Sequence, residues 1–405
     1  MNDAYNQLAR VAQRSVRLLQ NLTEQIQTQK QELCESAYYQ TYSKAALAKL
    51  PKLTRASVDY AVNEMEEQGY QFEKKQAGTS LKYAMTIENI VDVYHHRGVP
   101  KYRDRYAEAF TFFVGNLKGG VSKTVSTVSL AHALRTHPHL IMEDLRILVV
   151  DLDPQASATM FLNHEQSIGS VETTSAQAML QNVSREELLS EFISPSVVTG
   201  VDVIPASIED AFIASRWEDL CAEHLPGQNV YTVLRQNIIE KVKHDYDFIF
   251  IDSGPHLDSF LSNAIAAADI LMTPIPPAQV DFHSTLKYLA RLPELVELIE
   301  NTGASTRLCG NIGFMSKLVN KTDHKLCHSL AKEIFGGDML DFAIPRLDGF
   351  ERCGESFDTV ISANPATYVG SGEALKNAKS AAEDFAKAVF DRIEFIRTNR
   401  GSNAN

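Results

Sequence analysis

Between residues 4 and 33 apolar side chains fall at Leu8, Val11, Leu18 and Leu22, with Leu19, Ile26 and Leu33 beside them, and no Gly or Pro interrupts the run. Steps of three and four place them on one helical face, so the pattern predicts a single long amphipathic helix. Its stripe either packs on its own domain or faces the same helix of a second chain as a short coiled-coil-like contact. Two further helical patterns follow, over residues 43–50 and 55–67, separated by Pro51 and a tight turn. Thr54 is placed as N-cap, with Gln68 and Gly69 as the stop. Short strands are expected over 70–75 and 80–85, on either side of Gly78.

Helix, turn, helix and hairpin in this order outline a winged helix-turn-helix. Its second helix would enter a major groove with Arg55, Ser57 and Asn63 as DNA contacts, and Lys74, Lys75 and Lys82 on the wing would meet phosphates. A short helix around 87–94 leads to Pro100 and the charged stretch 101–105, where the chain changes character. Beyond it, apolar strands are expected at 109–114, 146–151, 201–205, 246–252, 270–274 and 309–314. A closing helix keeps Leu375, Ala378, Ala382, Phe385, Val389, Ile393 and Ile396 on one packing stripe. The expected fold is therefore α/β, a mostly parallel sheet of about seven strands flanked by helices and preceded by the long helix and the winged domain. The boundaries are set at 1–36 for a dimerisation helix, 37–106 for the DNA-binding domain and 107–400 for the sheet domain, whose strand ends carry the chemistry described next.

The chemistry concentrates at the ends of three strands. After the first of them come Gly115, Asn116, Leu117, Lys118, Gly119, Gly120, Val121, Ser122, Lys123, Thr124 and Val125, leading into an apolar-periodic helix. Adjacent glycines let backbone N–H groups approach phosphate and the helix offers its positive end. Lys123 is placed to bind the outer phosphates, and the Thr124 hydroxyl to ligate Mg2+. The residue before Lys123 is Ser122 where a standard Walker A loop has Gly, so the loop is the variant K-G-G-x-x-K-T, which adds a second cation, Lys118. Two more strands end in carboxylates. Asp151 and Asp153 follow one, Asp153 positioned to orient or deprotonate a water and Asp151 near the magnesium shell. Asp252, before Ser253, Gly254 and Pro255, supplies the Walker B carboxylate.

Charge sharpens the division between domains. The net charge is −12, yet residues 1–108 hold 15 Lys and Arg against 13 Asp and Glu, about +2, which leaves about −14 for the rest. With 405 residues, 44% hydrophobic and 22% charged, the chain suits two or three packed domains. No run of eighteen apolar residues occurs and the first thirty residues are polar, so neither a membrane span nor a signal peptide is expected. The five cysteines (Cys34, Cys221, Cys309, Cys327, Cys353) are scattered and read as reduced thiols of a cytoplasmic protein.

The series Lys118 to Thr124, Asp151 to Gln155 and Asp252 to Pro255 resembles the ParA/MinD branch of P-loop proteins, and with its N-terminal extension the whole chain resembles the long, DNA-binding ParA proteins of plasmids and plasmid-prophages. The resemblance implies an ATPase of plasmid partition using ATP/ADP and Mg2+. It implies an ATP-driven homodimer in which Lys118 reaches the partner's nucleotide, and non-specific DNA binding in the ATP state on the bacterial nucleoid. Stimulation by a centromere-bound ParB-type protein, and autorepression through operator DNA in the ADP or apo state, are implied as well. The resemblance places Arg352 on non-specific DNA. Charge alone makes the clusters at Lys317, Lys321 and Lys325 and on the last helix either further DNA contacts or solvated helix faces. Adenine contacts are expected near Asn311 to Met315 and near 345–347. Two alternatives remain: a nucleotide-sensing repressor without motor activity, and a metabolic ligase or reductase on the same fold.

Overall fold

The computed structural model describes residues 2–32, 38–167 and 171–403; Leu33 and Cys34 lie outside them. The N-terminal helix runs Asn2–Glu32. Where the stripe is described it is bare, with Leu8 68%, Val11 54% and Leu18 58% exposed, so among the described residues these side chains are left uncovered.

The helix-turn-helix follows as Lys44–Leu47 and Arg55–Glu67. Thr54 caps the second helix in a reciprocal box, its hydroxyl accepting the Ser57 N–H while the Ser57 hydroxyl accepts the Thr54 N–H. The hairpin strands are β1 Lys74–Ala77 and β2 Ser80–Tyr83, antiparallel around Gly78 at φ +65°. The first strand thus starts later than the expected 70–75. Phe72 is buried and Tyr70 packs beside it, in place of taking part in the hairpin.

The main sheet holds β3 Phe110–Val114, β4 Ile147–Asp151, β5 Ser194–Pro195, β6 Val201–Ile204, β7 Phe248–Asp252, β8 Ile270–Ile275 and β9 Asn311–Met315, in the order β5-β6-β4-β7-β3-β8-β9. All pairings are parallel except the two-residue β5, which the sequence pattern missed. The strands are buried on both faces, which is why they read as continuous apolar runs. The C-terminal helix, Gly372–Asn403, lays Leu375, Phe385, Val389 and Ile393 against one face.

The expected boundary at residues 100–105 is a packed seam. Tyr102 is fully buried between Phe248 and Phe390, at ring distances of 5.0 and 5.8 Å. Asp144 gathers Lys101 (2.9 Å), Arg135 (2.8 Å) and Arg103 (3.3 Å), and Arg103 also reaches Asp247 (3.3 Å). The winged region and the sheet therefore share one hydrophobic cluster. Among the described residues no helix is long and apolar enough to cross a membrane.

Candidate functional site: a phosphate loop at the strand ends

β3 is the strand from which the loop springs. Gly115 follows it in a space where a Cβ would stand 2.6 Å from the Phe113 ring and 2.8 Å from the Tyr288 hydroxyl. Buried Asn116 then anchors the loop, donating to the Pro274 carbonyl (3.0 Å) and the Thr285 hydroxyl (2.9 Å) while accepting the Lys118 N–H (2.9 Å). Gly120 (φ +74°) and Ser122 (φ +73°) take the left-handed conformation, which for serine is strained and is the kind of backbone found at functional sites. The helix Lys123–Thr136 begins at once, and Ser122 makes no side-chain cap. Its first-turn N–H groups thus remain available to an anion.

Lys123 is 7% exposed, and its ammonium lies 3.3 Å from the Lys118 carbonyl. Burial lowers its pKa, opposed by the charges of Asp252 and Asp153. A buried cation set against a neutral carbonyl favours binding of an anion such as phosphate. Next to it the Thr124 hydroxyl donates to Asp252 (2.7 Å). Asp252 stands directly across the sheet from Asp151. Burial raises the pKa of both carboxyls; Asp252 raises Asp151 further, and the Thr124 hydrogen bond opposes the rise at Asp252. A divalent cation at Thr124 and Asp252 would relieve this crowding, so the residues present fit Mg2+ completed by phosphate and water oxygens.

Asp151, expected near the magnesium shell, accepts the Thr159 N–H (2.9 Å), the Thr159 hydroxyl (2.7 Å) and the Asp153 N–H (3.0 Å), so its oxygens are engaged by the protein and hold Asp153 in place. Asp153 does face the cavity. Gly254 allows it to, since a Cβ there would press on Asp153 Oδ1 at 3.3 Å. Lys118, about a third exposed, pairs with Asp281 at 3.4 Å.

The cavity itself holds ≈ 480 Å³, within the roughly 300–1,000 Å³ usual for small-ligand sites. One end is the loop from Gly119 to Val125. The other is apolar, walled by Phe161, Ile344, Pro345, Leu347, Phe350 and Phe385. The expected 345–347 stretch is thus present, but Asn311 and Met315 are not. They belong to β9, where Asn311 accepts the Thr273 hydroxyl (2.9 Å) and Met315 is fully buried in a separate cluster. Lys317, read from sequence as part of a DNA-facing basic cluster, lines the cavity instead. Its neighbours in sequence carry no signal of this, because the loop it meets is almost two hundred residues away.

On the winged region, Arg55, Lys75 and Lys82 are exposed, with Lys75 paired across the hairpin to Lys82. The Ser57 hydroxyl takes part in the helix cap, and Lys74 pairs with Glu66 (2.8 Å) above the Tyr83 ring. Arg352 sits half-exposed, 3.6 Å from Glu355. Several cations of the last helix are used internally: Lys379 on Gln40, Lys387 on Asp391, and Arg397 against Tyr106.

Residues 15–106 match the family model of the ParA helix turn helix domain, and residues 111–305 match that of an AAA domain. The chain is 74% identical over 399 residues to Plasmid partition protein A of Escherichia coli, covering 98% of this chain and 100% of that protein. A solved structure described as a partition protein is 51% identical, with a TM-score of 0.78, covering 97% of this chain and 99% of the other. At the level of fold alone, it is similar to cobyrinic acid a,c-diamide synthase from Mycobacterium smegmatis with bound ADP and magnesium. That likeness is 19% identical with a TM-score of 0.50, covering 71% and 96%.

Proposed function

The chain belongs to the ParA-type plasmid partition proteins, joining a helix-turn-helix domain to a P-loop ATPase domain, and from that premise we propose that nucleotide occupancy switches it between two modes of DNA binding. The strongest support is the loop from Gly119 to Thr124, whose left-handed Gly120 and Ser122 lead into the buried Lys123, in one chain with the capped helix Arg55–Glu67.

In this reading the loop amides and Lys123 bind the phosphates of ATP, and Thr124 and Asp252 hold the magnesium ion. The ion, when bound, neutralises charge on the phosphate oxygens. Asp151 keeps Asp153 in place through the Asp153 N–H. Asp153 orients a water and accepts its proton, and Lys118 neutralises charge in the partner subunit's site. The ATP-bound dimer binds DNA without sequence preference, Arg352 being one contact. In the ADP or apo state the winged domain represses the operon through Arg55, Lys75 and Lys82. Hydrolysis is stimulated by a ParB-type partner. The segments 1–36, 37–106 and 107–400 act as dimerisation helix, DNA-binding domain and motor, in the bacterial cytoplasm on the nucleoid.

The test is binding of the full chain to its own promoter and to random-sequence DNA, each with ADP, with ATP and without nucleotide, at fixed salt. Promoter preference with ADP and random-DNA binding only with ATP is expected, the latter abolished in Lys123→Ala. Identical binding in every nucleotide state would sink the motor reading and favour the repressor.

A further inference from the structure

The phosphate loop works only if its N–H groups point inward, and a loop with two left-handed residues does not hold that arrangement by itself. In a planar trans peptide the carbonyl of one residue and the N–H of the next point in opposite directions. A donor that fixes the Gly120 and Val121 carbonyls therefore also fixes the direction of the Val121 and Ser122 N–H groups.

Two consecutive residues beyond the end of β9 are placed to do this. The Ser316 hydroxyl donates to the Val121 carbonyl (3.1 Å), and the Lys317 ammonium donates to the Gly120 carbonyl (2.7 Å). Ser316 is fully buried, and its own N–H continues the sheet by donating to Ile275 (3.0 Å). Lys317 adopts φ +53°, a conformation that a lysine takes at a cost where glycine would take it freely. The next N–H, of Leu318, donates to Ile344 (3.0 Å), the first residue of the apolar wall. Three successive residues thus tie the sheet, the phosphate loop and the far wall together.

We propose that Ser316 and Lys317 are positioning residues that orient the phosphate loop's Val121 and Ser122 amides for nucleotide, an inference that rests on the reading of this cavity as an ATP site. The strained φ gives the discriminating test. If Lys317 were there only to make the turn, glycine would replace it with no loss; if its ammonium is required, glycine relaxes the backbone and removes the clamp.

The experiment titrates Mg-ADP and Mg-ATP into the full-length wild type and into Ser316→Ala, Ser316→Thr, Lys317→Gly and Lys317→Arg, with thermal melting of each. Ser316→Ala and Lys317→Gly are expected to weaken both nucleotides by about fivefold to tenfold. Lys317→Gly is expected to melt no lower than wild type, and the Thr and Arg variants to recover most of the affinity. Wild-type binding with Lys317→Gly and Ser316→Ala within about twofold of it would overturn the clamp alone, since less than one hydrogen bond would be at stake. Weakened binding that tracks a lowered melting temperature, without rescue by Thr or Arg, would overturn it too. A wild type that binds neither nucleotide would overturn the ATP reading, and this inference with it.

Discussion

The chain begins and ends with helices of nearly equal length, 31 and 32 residues, both carrying a periodic apolar stripe. Their fates differ. In Gly372–Asn403 the stripe is covered, with Leu375 3%, Phe385 1% and Ile393 0% exposed, and it packs on the phosphate-loop helix and the sheet. In Asn2–Glu32 the described positions of the same kind of stripe, Leu8, Val11, Leu18 and Leu22, are open to solvent. Periodicity specifies that a helix has an apolar face; what covers that face is set elsewhere. The C-terminal helix acts within the chain, and the N-terminal stripe suits a second copy.

The largest effect that would sharpen this contrast is at Phe385. It is enclosed by Phe314 and Phe342 and also lines the cavity, so Phe385→Ala should destabilise the core by ~3–5 kcal/mol in denaturant unfolding and weaken nucleotide binding as well. A change under about 1 kcal/mol would mean that the C-terminal helix is as dispensable to the core as its N-terminal counterpart.

A smaller effect comes from His132, on the helix beneath the C-terminal one. It is fully buried, bonded to Thr359 (2.9 Å) and Ser196 (3.1 Å), and burial lowers its pKa from 6.5 to about 3. Between those values the unfolded chain binds the proton and the folded chain does not, so stability is lost as pH falls from about 6.5 toward 3. Asp210 and Asp247, pushed up by burial to about 6, act in the opposite sense, losing stability as pH rises toward that value. Comparing His132→Gln with wild type at each pH isolates the histidine. The variant's acid limb should be flatter, and parallel limbs would rule the histidine out as an acid-sensitive element.

The smallest effect on core stability is expected where the stripe is bare. Replacing Leu8, Leu18 and Leu22 together with Ser should change the core's unfolding free energy by less than ~0.5 kcal/mol per site, as for exposed positions, while shifting nucleotide-free chain toward monomer in sedimentation. An unchanged oligomeric state would break the comparison by showing that the face has no copy of this chain as partner.

Much of the site was legible because its chemistry is contiguous. Gly119 to Val125, Asp153 and Asp252 announce themselves through local types, glycine beside lysine and carboxylate after an apolar run, and the structure gathers them at one end of the sheet. Where the structure gives site residues other partners, the reason is shared. The resemblance places Asn311 and Met315 near the base, yet Asn311 accepts the Thr273 hydroxyl of β8 and Met315 is buried in a separate cluster. Ser57 and Lys74 have the right chemistry for DNA but spend it on a cap and on Glu66.

By itself, the sequence determined six of the sheet's seven strands closely enough to name the α/β sheet, and with them the variant phosphate loop, the capped helix at Thr54 and the two amphipathic ends. Backbone propensity, side-chain period and short-range hydrogen bonding act within a few residues, so the chain carries them openly. Tertiary structure alone decided that residues 101–105 form a packed seam around the buried Tyr102 and that Asp151 supports Asp153. It also decided that Lys317 reaches the phosphate loop, and which long helix finds cover. Each of these depends on atoms brought together from distant parts of the chain, and burial and pairing at such distances leave no period or motif in the local sequence.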